Sequence, residues 1–358
     1  MMKVVVAIDS FKGCLTSRQA NRAAAAGVSS ACPGAEVVPV VVSDGGEGFL
    51  EAFHRAMGGD VEEVVVCDPL MRPVAAQYLL QGKTAVIEMA QASGLTLLRE
   101  EERNPMMASS YGTGQLVAAA VRRGAEHIIV GLGGSATSDA GTGMIRALVE
   151  AFSTNGEWGG TGVLGRVRFT IASDVANPLC GENGAAQVFA PQKGATPADV
   201  LALDRRAREF AEESARYFGY DCSEMPGAGA AGGLGYAFLQ YLNAECKSGV
   251  QLLLDAVRFS EIIRNADLII TGEGAADGQT LMGKLPAGIL RQSNGVPVWL
   301  IAGRVRDREQ LREAGFAQVE YINPEGLNME EAMQQEVAMQ NIRTTVCRLM
   351  GEGIRTAG

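Results

Sequence analysis

The stretch HIIVGLGGSATSDAGTGMIRALVEAF, residues 127–152, combines a buried-strand pattern, a glycine-rich segment and an amphipathic helix. A short, continuous apolar run is typical of a strand that is covered on both faces of a parallel sheet. Five glycines follow it, and backbone N–H groups at a helix N-terminus can surround an anion. We predict a phosphate-binding loop, although a turn that needs glycine only for close packing is the alternative. Its predicted members are Gly133, Gly134, Ser135 and Thr137, with Ser138 as a further hydroxyl donor.

The same order of strand and polar loop recurs along the chain. Apolar runs end in the segments IDSFKG (8–13), SDGGEG (43–48), ASDVANP (172–178), TGEGAADGQ (271–279) and AGR (302–304). In α/β folds, ligands bind beyond the carboxyl ends of parallel strands. We therefore predict an α/β protein whose chemistry lies along such an edge.

Residues 61–90 break this pattern, because three strand-like runs follow one another with no helix between them. Such runs are typical of antiparallel strands. The strand–loop pattern of the N-terminus returns near residue 267. We therefore predict a discontinuous first domain and a second domain inserted into it.

Composition excludes several classes of partner. The 358 residues carry a net charge of −10 and contain no long basic run, which argues against nucleic acid. No apolar run approaches the roughly 18 residues of a membrane-spanning helix, and the N-terminal run is too short for a signal peptide. Seven scattered cysteines without a CxxC pair, and only two histidines, disfavour zinc and indicate a cytoplasmic protein.

Carboxylates and lysines accumulate at the predicted strand ends. Phosphoryl transfer from ATP needs carboxylates for magnesium and a group that orients the attacking hydroxyl, whereas a single aspartate is more often a helix cap. A lysine beside glycine can meet a phosphate or a carboxylate, although most lysines lie in solvent. The candidates are Asp9, Asp44, Glu47, Asp139, Asp174, Glu273 and Asp277, with Lys12, Lys193 and Lys284.

Three familiar motifs do not account for the pattern. The chain has no GxxxxGK[ST] loop, and GGSAT around Ser135 is not the GxSxG of a hydrolase. GAGAAG at 227–232 matches GxGxxG, but the preceding DCSEMP cannot be the strand that a dinucleotide site requires. This disfavours an NAD-dependent dehydrogenase and leaves a packing turn or a second anion-binding turn equally open.

Seven segments in one order resemble the bacterial class I glycerate kinase family nearly from end to end. They are IDSFKG, SDGGEG, GLGGSATSDAGTGM, SDVANPL, APQKGA, GAGAAGGLG and TGEGAADGQTLMGK. The resemblance implies a flavodoxin-like or Rossmann-like parallel-sheet domain, residues 1–60 plus 265–358, with an inserted mixed-sheet α/β domain, residues 61–264. It also implies phosphorylation of D-glycerate by ATP and Mg²⁺ in the inter-domain cleft. The expected product is 2-phosphoglycerate rather than 3-phosphoglycerate, and the expected state is a monomer or homodimer.

The resemblance also suggests roles for the candidate residues. The catalytic residues would be Asp174 and Lys284. Substrate binding would fall to Asp9, Ser10, Lys12, Asp44, Glu47 and Asn177. The nucleotide would meet Gly133, Gly134, Ser135, Thr137 and Lys193, and the metal would meet Asp139, Glu273 and Asp277.

The chain departs from the usual family pattern at several positions. Ser173 and Ala176 stand where cysteine and aspartate are usual, and Ala275 and Gly278 stand where arginine and serine are usual. The stretch between Phe152 and Arg168 is also short for the family. These departures keep two alternatives open, namely a kinase of a related small hydroxy acid and a non-catalytic ligand-binding homologue.

Overall fold

A computed structural model describes residues 1–356 apart from residues 44, 45 and 47. Its strands are β1 (Lys3–Ile8), β2 (Glu36–Pro39), β3 (Asp60–Cys67), β4 (Pro73–Gln81), β5 (Thr84–Glu88), β6 (His127–Gly131), β7 (Arg168–Ala172), β8 (Glu245–Lys247), β9 (Leu268–Ala276), β10 (Val298–Val305) and β11 (Gln318–Tyr321). Its α-helices are α1 (Ser17–Ala31), α2 (Phe49–Met57), α3 (Ala90–Ser93), α4 (Tyr111–Arg122), α5 (Thr142–Phe152), α6 (Ala185–Phe189), α7 (Pro197–Phe218), α8 (Ala230–Leu242), α9 (Gly249–Ala256), α10 (Phe259–Ile262), α11 (Leu285–Gln292), α12 (Arg308–Glu313), α13 (Met329–Ala332) and α14 (Gln335–Thr356).

Unit 1, Met1–Asp44 with Val250–Gly358, is built on a five-stranded sheet. All of its strand pairs are parallel, in the order β11-β10-β9-β1-β2. Counted along the unit, this is the 2-1-3-4-5 order of flavodoxin-like folds. The predicted parallel-sheet domain is therefore confirmed.

Local sequence signals explain how unit 1 forms. Thr16 and Gln19 make the reciprocal capping box that begins α1. Gly27 lets α1 approach α14 closely, because a Cβ atom there would lie 2.6 Å from the carbonyl oxygen of Arg343. The buried strands β1, β9 and β10 pack against these helices and place their carboxyl ends at one edge.

Unit 2, Gly45–Gly249, is built on a six-stranded mixed sheet in the order β3-β4-β5-β6-β7-β8. Strands β3, β4 and β5 pair antiparallel, as predicted from residues 61–90, and β5 to β8 pair parallel. The carboxyl ends of β5, β6 and β7 are therefore neighbours, with Glu88, Gly131 and Ala172 in register. The predicted inserted mixed-sheet domain is confirmed.

The chain crosses between the compact units earlier than the predicted boundaries after residues 60 and 264. Helix α2 contacts β4 and β5, and the backbone N–H of Leu50 donates to Glu88 at 3.1 Å, so this helix belongs to unit 2. Helix α9 belongs to unit 1, since a Cβ atom at Gly288 of α11 would lie 2.3 Å from Val250. These long-range contacts leave no local mark in the sequence.

Two properties bear on the protein's surroundings. No helix within the described residues is long and apolar enough to cross a membrane. The seven cysteines carry free thiols, in line with the scattered spacing seen in the sequence.

Candidate active site

The glycine loop, residues 131–143, connects β6 to α5. Gly134 and Gly141 have φ angles of 76° each, which favour glycine. Gly141 also has no room for a side chain, because a Cβ atom would lie 2.4 Å from that of Ala237. At Gly143 a Cβ atom would lie 2.3 Å from the Ser109 hydroxyl. Close packing therefore accounts for the glycines at the end of the loop, and Gly133 and Gly134 at its start remain the candidates for anion contact.

Asp139 holds the loop in shape. One carboxylate oxygen accepts hydrogen bonds from the backbone N–H and hydroxyl of Ser110, both at 2.8 Å, and from Gly143 N–H at 3.2 Å. The other oxygen accepts from Gly141 N–H at 3.1 Å. Asp139 thus ties the loop to the start of α4, and its predicted role as a metal ligand stays a prediction.

Lys193 inserts into the glycine loop from a short 3₁₀ helix, Pro191–Lys193. The side chain is buried, and its ammonium donates to the carbonyl oxygen of Thr137 at 2.6 Å and lies 3.5 Å from the Ser135 hydroxyl. The Ser135 and Thr137 hydroxyls are 3.1 Å apart. The structure therefore brings three of the predicted nucleotide-binding residues into contact.

The burial of Lys193 has an electrostatic consequence. Loss of solvation lowers the pKa of Lys193 to about 7, against the raising influence of the Asp139 charge. A buried ammonium without a carboxylate in hydrogen-bond contact is costly unless an anion joins it. An incoming phosphate would supply that anion.

Two hydrogen-bond donors near this loop have no protein partner within the described residues. The hydroxyl of Ser138 is buried and makes no hydrogen bond. The Nε of Arg103 is also buried without a partner, and the Arg103 backbone lies against Gly194, next to Lys193. Buried polar groups are normally satisfied, so these donors are candidates for contact with a ligand.

The GAGAAGGLG segment, residues 227–235, packs directly on the glycine loop. Residues 231–233 have φ angles of 52°, 66° and 90°. A Cβ atom at Gly232 would lie 2.0 Å from the carbonyl oxygen of Thr137, and one at Gly229 would lie 2.3 Å from that of Pro178. Of the two interpretations left open by the sequence, these contacts favour the packing turn.

Asp174 and Asn177 follow β7, beside the glycine loop that follows β6. The carboxylate oxygens of Asp174 are buried. Its charge is near the Cys246 thiol, whose pKa is raised by burial first and by Asp174 second. The Asn177 amide donates to the carbonyl oxygen of Asn183 at 2.8 Å, which shapes this loop. The catalytic and substrate-binding roles of these two residues stay predictions.

A cavity of about 360 Å³ in unit 1, here called the strand-edge cavity, lies at the carboxyl ends of β1, β9 and β10. Five of the predicted site residues line it, and they come from three separate segments of the chain. They are the substrate-binding candidates Asp9, Ser10 and Lys12, the metal-ligand candidate Glu273 and the catalytic candidate Lys284. Asp44 and Glu47 lie outside the described residues.

Glu273 is the buried acid of the strand-edge cavity. Its carboxylate accepts a hydrogen bond from the Thr280 hydroxyl at 2.6 Å and lies 3.4 Å from the Lys284 ammonium. Burial raises the pKa of Glu273, whereas the Thr280 hydrogen bond and the Lys284 charge act to lower it. The Asp277 charge also raises this pKa, so the two carboxylates interact.

The carboxylates fit magnesium only as part of a site that phosphates complete. Within the described residues, no group of three His, Cys, Asp or Glu side chains is placed to hold a metal ion. Mg²⁺ in nucleotide enzymes often uses only one or two carboxylates together with phosphate oxygens and water. The interacting pair Glu273 and Asp277 offers hard oxygen ligands of that kind, and this donor chemistry fits.

A larger cavity of about 760 Å³ in unit 2 contains none of the predicted residues. It lies at the amino end of β7, opposite to the end that leads to Asp174, and is lined by Trp158, Arg166, Arg168, Tyr217 and Tyr241, among others. The candidate chemistry is therefore not in this larger cavity.

Several residues of the site carry no signal, or a weak one, in the sequence. Thr280 is an ordinary-looking residue after Gln279, and Ser110 bonds Asp139 across 29 positions of sequence. Glu88, buried at the carboxyl end of β5, follows the same strand-end rule as the predicted acids and could have been found from VIEMA. Arg304 of the AGR segment also lines the strand-edge cavity.

Comparisons with known proteins point to one family. A model of the family described as the glycerate kinase family matches residues 4–351. A glycerate kinase of Halalkalibacterium halodurans is 42% identical over 96% of this chain and 97% of its own. A glycerate 2-kinase of Escherichia coli is 40% identical over 86% of each chain. The crystal structure of a Salmonella typhimurium protein assigned as glycerate kinase 2 matches with a TM-score of 0.81 and 35% identity, covering 99% of both chains.

The fold and these relatives define a phosphotransferase built from a parallel-sheet unit and an inserted mixed-sheet unit. The chain belongs to the glycerate kinase family. The resemblance inferred from its motifs and the expectation of an enzyme are both confirmed.

Proposed function

We propose that the protein transfers the γ-phosphoryl group of ATP to the 2-hydroxyl of D-glycerate in a magnesium-dependent reaction. Family membership supports the reaction class, and the name of the Escherichia coli relative supports the 2-position. The observation that carries the proposal is the buried Lys193 ammonium, held on the glycine loop with a depressed pKa and suited to an anion.

The nucleotide phosphates are assigned to unit 2. Gly133 and Gly134 would offer backbone N–H groups, and Ser135 and Thr137 would offer hydroxyls. Lys193 would supply the positive charge that the buried loop otherwise lacks. The buried hydroxyl of Ser138, which has no partner among the described residues, is an additional donor for the same phosphates.

Glycerate is assigned to the strand-edge cavity of unit 1. Lys12 and Ser10 would bind its carboxylate, and Asp9 would accept hydrogen bonds from its hydroxyls. A cavity of about 360 Å³ is at the lower end of the range for small-molecule sites and suits a three-carbon acid. Asp44, Glu47 and Asn177 remain proposed substrate-binding residues.

Two residues are proposed to act on the reacting groups. Asp174 would accept the proton of the attacking hydroxyl or orient it, as a carboxylate does in other kinases. Lys284 would neutralise charge that develops on the transferred phosphoryl group. Its contact with Glu273 leaves its side chain 37% exposed, so the ammonium remains accessible to a ligand.

Glu273 and Asp277 would hold the magnesium ion of the nucleotide, with Asp139 as the further predicted ligand. The bound ion would neutralise the negative charge of the phosphates. Glu273 must be ionised for this task, and the Thr280 and Lys284 contacts favour its charged form.

An ADP-release assay with Mg-ATP and D-glycerate tests the proposal. Rapid turnover with D-glycerate and ³¹P and ¹H NMR of a 2-phosphorylated product would support it, and a 3-phosphorylated product would contradict the assigned position. Ala176 and Ala275 favour a second candidate, a kinase of a related hydroxy acid. Higher kcat/KM with glycolate, lactate or tartronate than with glycerate would select that alternative.

The surroundings of the reaction remain proposals as well. A cytoplasmic location agrees with seven free thiols, and a monomer or homodimer is proposed from the family resemblance. Sedimentation of the purified protein at several concentrations would decide between monomer and dimer.

A further inference from the structure

Arg304 lies beside Ala275 in the sheet of unit 1. The parallel pairing of β9 and β10 places the two residues in register. Directly paired residues of parallel strands point to the same face, and neighbouring strands are about 4.8 Å apart. A side chain at either position therefore starts from nearly the same place.

That face belongs to the strand-edge cavity. Glu273 is two residues before Ala275 and so points to the same side of β9. Glu273, Ala275 and Arg304 all line the cavity. Arg304 thus lines the space that the proposed function assigns to glycerate.

The Arg304 side chain is also available to bind a ligand. Its side chain forms no ion pair and no hydrogen bond with any residue that the structure describes, and it is exposed. The neighbouring Lys284 differs, because it lies 3.4 Å from Glu273. Several other arginines of unit 1 are paired with acids, such as Arg308 and Arg348 with Glu320.

We propose that Arg304 binds the carboxylate of the hydroxy-acid substrate and determines specificity for an acid over a neutral polyol. This inference rests on the proposed function and adds a residue to it. A guanidinium presents a planar pair of donors that matches a carboxylate in a bidentate manner, which a lysine ammonium does not. Arg304 supplies from β10 the positive charge that Ala275 cannot supply from β9.

Steady-state kinetics of Arg304→Gln test the assignment. We expect the KM for D-glycerate to rise about 10- to 100-fold, the range for loss of one charge-assisted hydrogen-bonded pair. The KM for ATP should stay unchanged, and kcat should change less than the KM for glycerate. Arg304→Lys should recover part of the loss. Arg306→Gln is the matched control, since Arg306 is exposed and does not line the cavity.

Two further measurements separate substrate recognition from a structural effect. With glycerol, which keeps the hydroxyls but lacks the carboxylate, the Arg304→Gln variant should be as poor a catalyst as the wild type and no poorer. The double variant Arg304→Gln with Ala275→Arg should regain a KM for glycerate near the wild-type value, because the charge returns to the adjacent position.

The outcomes distinguish this inference from the proposed function. Absence of glycerate turnover by the wild-type enzyme would refute the proposed function itself. Normal wild-type turnover with an unchanged glycerate KM in Arg304→Gln would overturn only the Arg304 assignment. A rise in the KM for ATP alone would also overturn the Arg304 assignment. A loss of kcat/KM with glycerol equal to the loss with glycerate would overturn it too. Protection of the full chain from thermal unfolding by D-glycerate without ATP gives an independent measure, and Arg304→Gln should weaken it.

Discussion

The glycine loop of unit 2 and the strand-edge cavity of unit 1 follow the same rule of position but are built differently. Each lies beyond the carboxyl ends of parallel strands. In the glycine loop the cation is buried, and Asp139 satisfies four donors. In the strand-edge cavity Lys12 and Arg304 are exposed, and Glu273 is buried with a short hydrogen bond.

The difference suggests how the two ligands are recognised. A loop fixed by its own hydrogen bonds is preorganised for a group that is the same in every turnover. The phosphates of a nucleotide are such a group. The exposed Arg304 side chain must be ordered by the ligand, which costs side-chain entropy but lets the cavity discriminate among small acids. We therefore expect substitutions in the two regions to affect different kinetic parameters.

The largest effect on kcat is expected at Asp174, which should act in the chemical step rather than in the binding of either ligand. Asp174→Asn should lower kcat by about 10²–10⁴-fold, the usual contribution of an acid–base group. The KM values for ATP and glycerate should change little. If kcat falls by no more than about tenfold, well short of that contribution, Asp174 has no catalytic role.

Asp204→Asn offers a control of similar chemistry in unit 2. Asp204 accepts a hydrogen bond from Gly181 N–H at 2.8 Å and pairs with Arg208, so it stabilises structure away from the proposed chemistry. The control should lower the thermal midpoint without a comparable loss of kcat. Equal losses in both variants would mean that Asp174 acts through stability.

A second test sharpens the contrast at the glycine loop. Lys193→Met keeps an unbranched, flexible side chain but removes the charge, and kcat/KM for ATP should fall about 100-fold. Thermal stability should be retained or increased, because a buried charge is replaced by an apolar group. Lys83→Met, at an exposed lysine paired with Glu126, should leave the kinetics unchanged. A loss shared equally between the KM values for ATP and glycerate would contradict a loop dedicated to the nucleotide.

The same lysine predicts a pH dependence. The ligand-free protein loses the Lys193 proton as pH rises through about 7, whereas the unfolded chain keeps it up to a pKa of 10.5. The stability of the ligand-free protein should therefore rise with pH between these values. Phosphates favour the charged ammonium, so ATP binding at pH 8 should take up a proton and weaken as pH rises further. Calorimetry in buffers of different ionisation enthalpy measures this uptake, which Lys193→Met should abolish.

Gly232 tests whether the loop depends on the packing of its neighbour. A Cβ atom there would meet the carbonyl oxygen of Thr137 at 2.0 Å, at a φ of 66°. Gly232→Ala should destabilise the protein by about 2–5 kcal/mol, from left-handed strain and overpacking together. It should also raise the KM for ATP, because Thr137 is the partner of Lys193.

Gly124→Ala isolates the contribution of strain alone. Gly124 has a φ of 90°, but a Cβ atom there would meet nothing within 4 Å, so the substitution should cost about 1–2 kcal/mol. Thermal midpoints of both full-length variants provide the comparison. Similar midpoints would show that the glycine loop yields easily to its neighbour and is not rigid.

Much of the fold could be predicted from the sequence because its signals are local. The β-branched run of β1 and the capping box of Thr16 and Gln19 specify their elements without reference to distant residues. The antiparallel strands of unit 2 were likewise visible, because no helix fits between them. The unit boundaries were not visible in the sequence, since the packing of α2 on β4 and β5 depends on contacts between segments far apart in the chain.

The residues that form the candidate site could be predicted from the sequence, but the role of each residue was harder to predict. The loop glycines and Lys193 carry the signature of an anion site, and the structure joins Lys193 to Ser135 and Thr137. For Asp139 the sequence could not show that Ser110 occupies the carboxylate, because that contact depends on tertiary packing. The alignment of Arg304 with Ala275 likewise follows from strand register, which no local pattern reveals.

The smallest effect is expected at Thr280, where the buried acid of the strand-edge cavity is stabilised by a single hydroxyl. Thr280→Val removes the 2.6 Å hydrogen bond to Glu273, so the pKa of Glu273, already raised by burial, should rise further. If ionised Glu273 is needed, the acid limb of the kcat/KM profile should move to higher pH, with a loss of about 3- to 10-fold at pH values on that limb. Thr280→Ser keeps the donor and should restore the profile. An acid limb that stays in place would show that Glu273 does not titrate in the reaction, and the strand-edge cavity would then differ from the glycine loop, whose Lys193 charge depends on pH.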